Sequence, residues 1–148
     1  GKAIINLLNL SSSGEKITAV IPIRDFTPDT YLIMATKVGT VKKSSLDNYS
    51  KPRRGGIAAI TLEEGDTLVD VKMTDGNSNV VLATHNGFAI NFKEQNVRSM
   101  GRTAKGVRGI RLKSSNDYLI GMEVVEQGGT FLVATRSVSR PSTFGMII

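Results

Sequence analysis

The sequence predicts an all-β protein made of repeated four-stranded units, and three observations support this. Runs of five to eight apolar or β-branched residues are separated by Gly, Asn-Gly and Asp-Gly, as strands are separated by turns. Hydrophobic blocks that end in Ala-Thr recur at residues 32–36, 80–84 and 131–135. Blocks of the form apolar-x-Leu recur out of phase with them, at residues 8–10, 60–62 and 110–112. Both series return after roughly 50 residues, a period typical of propeller blades, so we predict a partial β-propeller of about three blades, an arc of a larger ring.

Each predicted strand is one such run bounded by turn residues. In chain order the predicted strands are residues 4–10, 17–21, 31–36, 40–43, 57–62, 68–74, 79–84, 88–93, 107–112, 118–125 and 130–135. Asp75-Gly76 and Asn86-Gly87 lie between alternating runs, where a type I′ turn needs positive φ at both central residues. Residues 47–49 and 94–97 are predicted as single helical turns, and no segment has a convincing amphipathic helical pattern.

The repeats are predicted to span residues 1–49, 50–97 and 98–148 of one fragment. The last part departs from the pattern. In residues 136–148 the expected turn glycine is missing and Pro141 falls where a strand should be paired, so we predict an irregular tail.

Composition indicates a soluble protein without a membrane span or a disulfide. The chain is 40% hydrophobic, has no cysteine, and contains no apolar run near the ~18 residues of a membrane span. Its net charge of +6 is unevenly distributed. Residues 37–54 and 98–113, here called the first and second basic stretches, hold 12 of the 19 Lys and Arg residues but only 1 of the 13 acids. Basic stretches at equivalent repeat positions in an otherwise acidic chain indicate a polyanionic partner.

The candidate phosphate contacts are the cations of these two stretches: Lys42, Lys43, Lys51, Arg53, Arg54, Arg98, Arg102, Lys105, Arg108 and Arg111. Ser and Thr hydroxyls and glycine backbone N–H groups accompany them, and phosphates accept hydrogen bonds from all of these groups. Gly101, Gly106 and Gly109 are expected to let the backbone approach a partner closely. The aromatic residues do not alternate with the cations as a base-stacking platform would, which favours duplex DNA held by its backbone over single strands.

Catalytic chemistry has little support. His85 is the only histidine and lies in a turn, so neither a histidine metal site nor a His-containing triad can be assembled without cysteine. Gly101 and Gly106 have the spacing of a phosphate loop, but Val107 and Arg108 stand where its Lys-Ser/Thr pair should follow. The acidic side chains around Glu63-Glu64 and Asp66 are expected only to make the turn between two strands polar and exposed to water. We therefore predict no catalytic residue, metal site or cofactor in this chain.

Residues 97–112 closely resemble the C-terminal domain of the bacterial DNA gyrase A protein. The family pattern there is Val-Arg-x-Met-Gly-Arg-x-Ala-x-Gly-Val-x-Gly-Ile-x-Leu, and every fixed position is present. The resemblance extends over about 135 residues, including 5–8, 31–36, 42–43 and 55–60. It implies a β-pinwheel, a propeller variant whose blades exchange strands, with double-stranded DNA wrapped around a basic rim.

The resemblance also implies the setting of the chain. It is expected to be a non-catalytic module of an ATP-dependent type IIA topoisomerase that introduces negative supercoils, in the bacterial cytoplasm at the nucleoid. Its partners are expected to be the rest of the gyrase A protein and the gyrase B protein, with no membrane. ATP and magnesium would serve the parent enzyme and not this chain.

Three alternatives stay open at this stage. The family's Gln-Arg-Arg-Gly-Gly-Lys-Gly box is not found: residues 52–57 are similar to it but lack the Gln and the Lys-Gly ending. The paralogue, the C-terminal domain of the topoisomerase IV A protein, is therefore one alternative, although the strand sequences favour gyrase. A propeller that binds proteins or acidic peptides is the second. A small hydrolase on a β scaffold is the third.

Overall fold

The computed structural model describes residues 17–53, 56–125, 131–133 and 145–147, the last two ranges as backbone strands only. Nine strands and two short 3-10 helices follow in chain order: β1 (Tyr31–Thr36), β2 (Thr40–Ser45), η1 (Leu46–Tyr49), β3 (Leu68–Thr74), β4 (Asn79–Thr84), β5 (Ala89–Lys93), η2 (Glu94–Asn96), β6 (Val107–Arg108), β7 (Leu119–Val125), β8 (Phe131–Val133) and β9 (Gly145–Ile147). The all-β prediction is confirmed.

The strands form three antiparallel sheets. The first has the order β3-β1-β2-β6, the second β5-β4-β7, and the third pairs β8 with β9. The first two are built alike. In each, the first strand of a hairpin ends in the Ala-Thr block, and a later strand of the chain pairs with its other edge, with an irregularity in register at the threonine.

One sheet is not made from one stretch of sequence. The first sheet combines β1 and β2 with β3, from the second predicted repeat, and β6, from the third. This arrangement is the strand exchange that the resemblance implies. It also places the second basic stretch, which contains β6, on a sheet whose other strands lie far earlier in the chain.

Two apolar clusters hold the sheets. The strand β1 is buried along almost its whole length because an apolar cluster packs on each of its faces. Its Ile33 and Ala35 pack with Val80, Leu82 and other residues of the second sheet in one cluster. Its Leu32 and Met34 join Leu46 in a second cluster on the opposite face. The first sheet is therefore packed on both faces, with β3 at one edge and β6, paired with the outer side of β2, at the other.

The hairpin turns are closed by threonine and glycine. Gly39 N–H donates to the carbonyl of Thr36 (2.9 Å) and Thr40 N–H donates to the Thr36 hydroxyl (3.3 Å). Thr84 accepts the two equivalent bonds in the second hairpin, at 3.0 and 3.2 Å. The threonine of the Ala-Thr block therefore fixes the turn through its side chain.

The predicted type I′ turns are wrong. Among the described residues positive φ is confined to glycine, with 84° at Gly87 and 93° at Gly76, so Asn86 and Asp75 have ordinary φ. In the hairpin β4-β5 a turn that ends in one left-handed glycine is the next most common connection, whereas Gly76 lies between β3 and β4, which belong to different sheets.

Several predicted strand bounds need correction. Residues 17–21 and 57–62 are not strands, and only residues 107–108 of the predicted strand 107–112 are paired. The tail predicted to be irregular contains β9, which pairs with β8. The predicted strand 4–10 lies outside the described residues. The helical turns predicted at 47–49 and 94–97 are present as η1 and η2.

Candidate nucleic-acid interface

The second basic stretch lies along the outer edge of β2. Met100 N–H donates to the carbonyl of Lys43 (2.8 Å), and the Ser44 hydroxyl donates to the carbonyl of Met100 (2.8 Å). Further along, Val107 pairs with Val41 in the short ladder between β6 and β2. These bonds attach residues 98–108 alongside β2 at the edge of the sheet, and the cationic side chains of this segment are exposed.

The structure also brings the first basic stretch close to the second. The segment 56–62 continues the first stretch, and its Thr61 hydroxyl donates to the carbonyl of Thr103 (2.8 Å). Lys42 Nζ donates to the carbonyl of Ala59 in the same segment (2.7 Å) and to the carbonyl of Arg102. The two stretches therefore meet at the edge of β2, although about 40 residues of chain separate them.

Six of the ten predicted phosphate contacts are exposed and make no ion pair with a carboxylate of the described residues: Lys51, Arg53, Arg98, Arg102, Arg108 and Arg111. Their charges are available to an external anion. Arg54 lies outside the described residues.

Lys42 and Lys43 need correction, because neither is on the surface. Lys42 is 0% exposed and Lys43 is 6% exposed. Burial lowers the pKa of Lys42. Lys43 Nζ donates to the carbonyl of Glu94 (3.1 Å) and lies 3.6 Å from the Glu94 carboxylate. Both ammonium groups therefore have partners inside the protein, and both leave the set of expected phosphate contacts.

Lys105 is exposed but has an internal partner. Its Nζ lies 3.2 Å from Oε1 of Glu63, in the acidic turn before β3. Both side chains are more than 60% exposed, so water screens the pair strongly and its contribution to stability is small. A phosphate can compete for Lys105, but the Glu63 carboxylate lowers the positive potential at that point of the edge.

The glycines of the second stretch serve the fold and not an external ligand. A Cβ at Gly106, where φ is +103°, would lie 2.6 Å from the carbonyl oxygen of Val41. A Cβ at Gly109 would overlap the side chain of Val41 and lie 2.9 Å from Leu82 Cδ1. Gly101, by contrast, has open space around the same position. The close approach expected of these glycines is therefore made to β2 at Gly106 and Gly109, and only Gly101 faces open space.

The acidic turns have a structural role that was not predicted from the sequence. Asp66 Oδ1 accepts from the N–H of Val38 (3.2 Å), and Asp117 Oδ1 accepts from the N–H of Asn86 (3.0 Å). Each aspartate thus caps the tip of the hairpin that precedes it. The sequence pattern that could have indicated this role is the recurrence of an aspartate two residues before β3 and before β7.

The environment of Asp117 favours its ionised form. Burial alone raises the pKa of this carboxyl, but hydrogen bonds from the N–H of Asn86, the Thr84 side chain and the N–H of Tyr118 outweigh burial and leave the pKa below its ordinary value. Asp117 is therefore a hairpin cap and has no feature of a general acid.

No catalytic or metal centre is found among the described residues. His85 is exposed in its turn and stacks on Tyr118, with ring centroids 4.7 Å apart. Within the described part of the chain no three His, Asp or Glu side chains are grouped so that they could hold a metal ion. In the same ranges no helix is long and apolar enough to cross a membrane.

Comparison with known proteins gives a consistent family. The sequence profile of the family described as "DNA gyrase C-terminal domain, beta-propeller" matches residues 30–75 and 78–126. The DNA gyrase A protein of Klebsiella oxytoca is 43% identical over 143 residues, which is 97% of this chain and 16% of that protein. The DNA gyrase A protein of Haemophilus influenzae is 43% identical over 126 residues, 85% of this chain and 14% of that protein. The chain therefore spans only a small part of these relatives.

Solved structures agree with the fold. The crystal structure of the C-terminal domain of DNA topoisomerase IV superposes with a TM-score of 0.82 at 34% identity, covering 90% of this chain and 41% of that one. A structure of the DNA gyrase A C-terminal domain superposes with a TM-score of 0.76 at 24% identity, covering 88% of this chain and 43% of that one. At this lower identity the likeness concerns the fold alone.

Proposed function

This chain belongs to the DNA gyrase C-terminal domain family, and from that premise we propose that it is a non-catalytic module that binds and bends double-stranded DNA along the edge of β2. The observation that supports the proposal most is the meeting of the two basic stretches at that edge. The two stretches together carry six exposed cations that no described carboxylate pairs. Five of the six are arginines, whose guanidinium groups can bind phosphate oxygens in pairs.

The energetics suit a polyanion held by its backbone. Bending duplex DNA costs on the order of 1–6 kcal/mol over 20–30 base pairs. Each phosphate neutralised by a cation releases condensed counterions, and about six such contacts predict that log K falls with log salt at a slope near −5. Because phosphates are the same in every sequence, we expect little sequence preference.

The role in the whole enzyme is part of the proposal. Wrapping by this module would fix the handedness of the crossing between two duplex segments. The rest of a gyrase A protein and the gyrase B protein would then pass one segment through the other, using ATP and Mg²⁺, so that negative supercoils are introduced. The curated relatives at 43% identity, both bacterial DNA gyrase A proteins, support this assignment and a location at the bacterial nucleoid.

A part of topoisomerase IV is the second candidate, supported by the topoisomerase IV C-terminal domain at 34% identity. The holoenzyme assay separates the two. Gyrase with this chain would supercoil relaxed plasmid in the presence of ATP, whereas topoisomerase IV would relax supercoils and unlink catenated circles without supercoiling them.

The module's own function is tested by ligating nicked circular DNA in the presence of the full-length protein that contains this chain. Wrapping predicts a shift in the linking number of the closed circles that grows with protein concentration and disappears at high salt. An unchanged linking number, or binding that is independent of salt, would contradict the proposal.

A competition experiment addresses the protein-binding propeller. If the basic edge serves acidic peptides, plain duplex DNA should not displace a bound poly-glutamate peptide. Displacement by duplex at equal phosphate and carboxylate concentration is the result we expect.

A further inference from the structure

Lys42 is a buried cation of the first basic stretch whose ammonium group is bonded to the second stretch and to the segment that follows the first. Its Nζ donates to the carbonyl of Ala59, in the segment that continues the first stretch, and to the carbonyl of Arg102, in the second. The side chain is 0% exposed. Two further bonds lie beside this junction, from Ser44 to Met100 and from Thr61 to Thr103, each 2.8 Å long.

The strand itself does not require a lysine at this position. Lys42 pairs with Met34 across the first hairpin, and Ile90 pairs with Leu82 at the equivalent place in the second. Ile90 is 38% exposed on β5, whose outer edge no other described strand covers. An apolar side chain is therefore compatible with the hairpin at this position. The ammonium group of Lys42 instead serves its contacts with Ala59 and Arg102, which are not part of the hairpin.

Burial of the ammonium group is unfavourable on its own. Taking a charge out of water costs several kcal/mol unless strong hydrogen bonds offset it, and burial lowers the pKa of Lys42 accordingly. In return the group gains the carbonyl of Ala59, in the segment that continues the first stretch, and the carbonyl of Arg102, in the second. Since Lys42 belongs to the first stretch, these bonds hold the two groups of exposed cations at a fixed distance.

We propose that Lys42 is a positioning residue that holds the two basic stretches in one register, so that both contact the same DNA duplex at once. The inference rests on the DNA-binding function proposed above. Without the ammonium group fewer bonds hold the two stretches together, so part of their ordering has to take place when DNA binds, and such ordering opposes binding. The expected result is fewer simultaneous phosphate contacts and a smaller bend, although no exposed charge has been removed.

The test compares Lys42→Met with the wild type in the full-length protein that contains this chain. Methionine retains an unbranched side chain as far as Cε and removes the donor. For Lys42→Met we expect the slope of log K against log salt to weaken from near −5 to about −3, the loss of about two phosphate contacts, and the DNA bend measured by end-to-end energy transfer to decrease. Lys42→Arg, which can still donate to both carbonyls, should restore most of the slope and bend. Lys93→Met removes one exposed lysine outside both stretches and serves as the control for charge, with no effect on the bend.

A purely structural role gives a different result. If Lys42→Met only lowers the folded fraction, the apparent affinity falls in proportion to that fraction while the salt slope and bend stay at wild-type values, and the inference is overturned. Wild-type behaviour of Lys42→Met overturns it as well. If the wild type itself does not bend DNA, the proposed function fails and the inference fails with it. Should Lys42→Met not fold, Thr61→Val, which removes the bond to Thr103, is expected to weaken the slope and the bend in the same direction, and unchanged values would overturn the inference.

Discussion

At the scale of single residues, the position of a cation decides what it does. Arg98 and Arg102 lie on a layer added to the sheet edge and point outward, whereas Lys42 and Lys43 lie on a strand covered on both sides. The sequence alone could not separate these groups. Alternation along a strand predicts that one of two adjacent lysines is exposed, but both are buried. The Lys42 ammonium group lies against the carbonyls of Ala59 and Arg102, and the Lys43 ammonium group lies against Glu94.

Replacing Arg98 and Arg102 together by glutamate is expected to weaken binding to every duplex sequence alike. Two phosphate contacts are lost, so the slope of log K against log salt should become shallower by about 2, from near −5 to about −3, in fluorescence anisotropy titrations. Arg24→Glu, at an exposed arginine outside both stretches, is the control and should leave the slope within error. A double variant with the wild-type slope would remove these arginines from the interface.

Glu63→Gln is expected to strengthen DNA binding, because it removes the carboxylate that lies 3.2 Å from Lys105. The neighbouring Glu64, exposed in the same turn and without an ion pair to a described cation, provides the matched control as Glu64→Gln. Both variants change the net charge equally. Titrations at one salt concentration should therefore show a larger gain for Glu63→Gln, and equal gains would show that Lys105 does not contact DNA.

At the scale of elements, hydrogen bonding explains which predicted strands form. The prediction was confirmed for β1, β3 and β4, where apolar runs pair over their full length. Residues 57–62 have similar composition but no ladder partner. There the carbonyl of Ala59 accepts from Lys42 Nζ, and the Thr61 hydroxyl bonds to Thr103. Such long-range side-chain bonds have no local signal in the sequence.

Gly106→Ala is expected to destabilise the attachment of β6 to β2. The backbone at Gly106 has φ of +103°, and the added Cβ would meet the carbonyl oxygen of Val41 at 2.6 Å. A strained backbone of this kind costs about 1–3 kcal/mol. Gly101→Ala is the matched control, since its Cβ enters open space. Hydrogen exchange should show faster exchange at residues 107–110 for Gly106→Ala alone, and equal protection in both variants would contradict this role.

At the scale of the whole molecule, strand pairing and contacts between sheets bring together residues that are far apart along the chain. The repeat period was visible in the sequence, and so was the charge pattern. Which strands share a sheet was not, because strand exchange depends on pairing over some 70 residues between β2 and β6. The buried pair of Lys43 and Glu94 joins the two main sheets, and its acidic member was not singled out by sequence.

Lys43→Met is expected to lower the free energy of unfolding by about 3–5 kcal/mol, since it leaves the fully buried Glu94 carboxylate without its cation. Adding Glu94→Leu should recover part of the loss, because Leu46 fills the equivalent place in the first sheet. Recovery is incomplete because Ser78 N–H loses its acceptor. Urea unfolding measures both variants, and a loss under about 1 kcal/mol for Lys43→Met would show that the pair is dispensable.

The central claim is that the two basic stretches form one continuous track for a duplex. Photo-crosslinking from a reactive group placed in turn at positions 53, 98, 102 and 111 of the full-length protein, bound to one end-labelled duplex of fixed position, tests it most directly. A single track predicts crosslinks that move steadily along the DNA as the position changes from one stretch to the other. Crosslinks at unrelated places on the duplex, or from one stretch only, would contradict it.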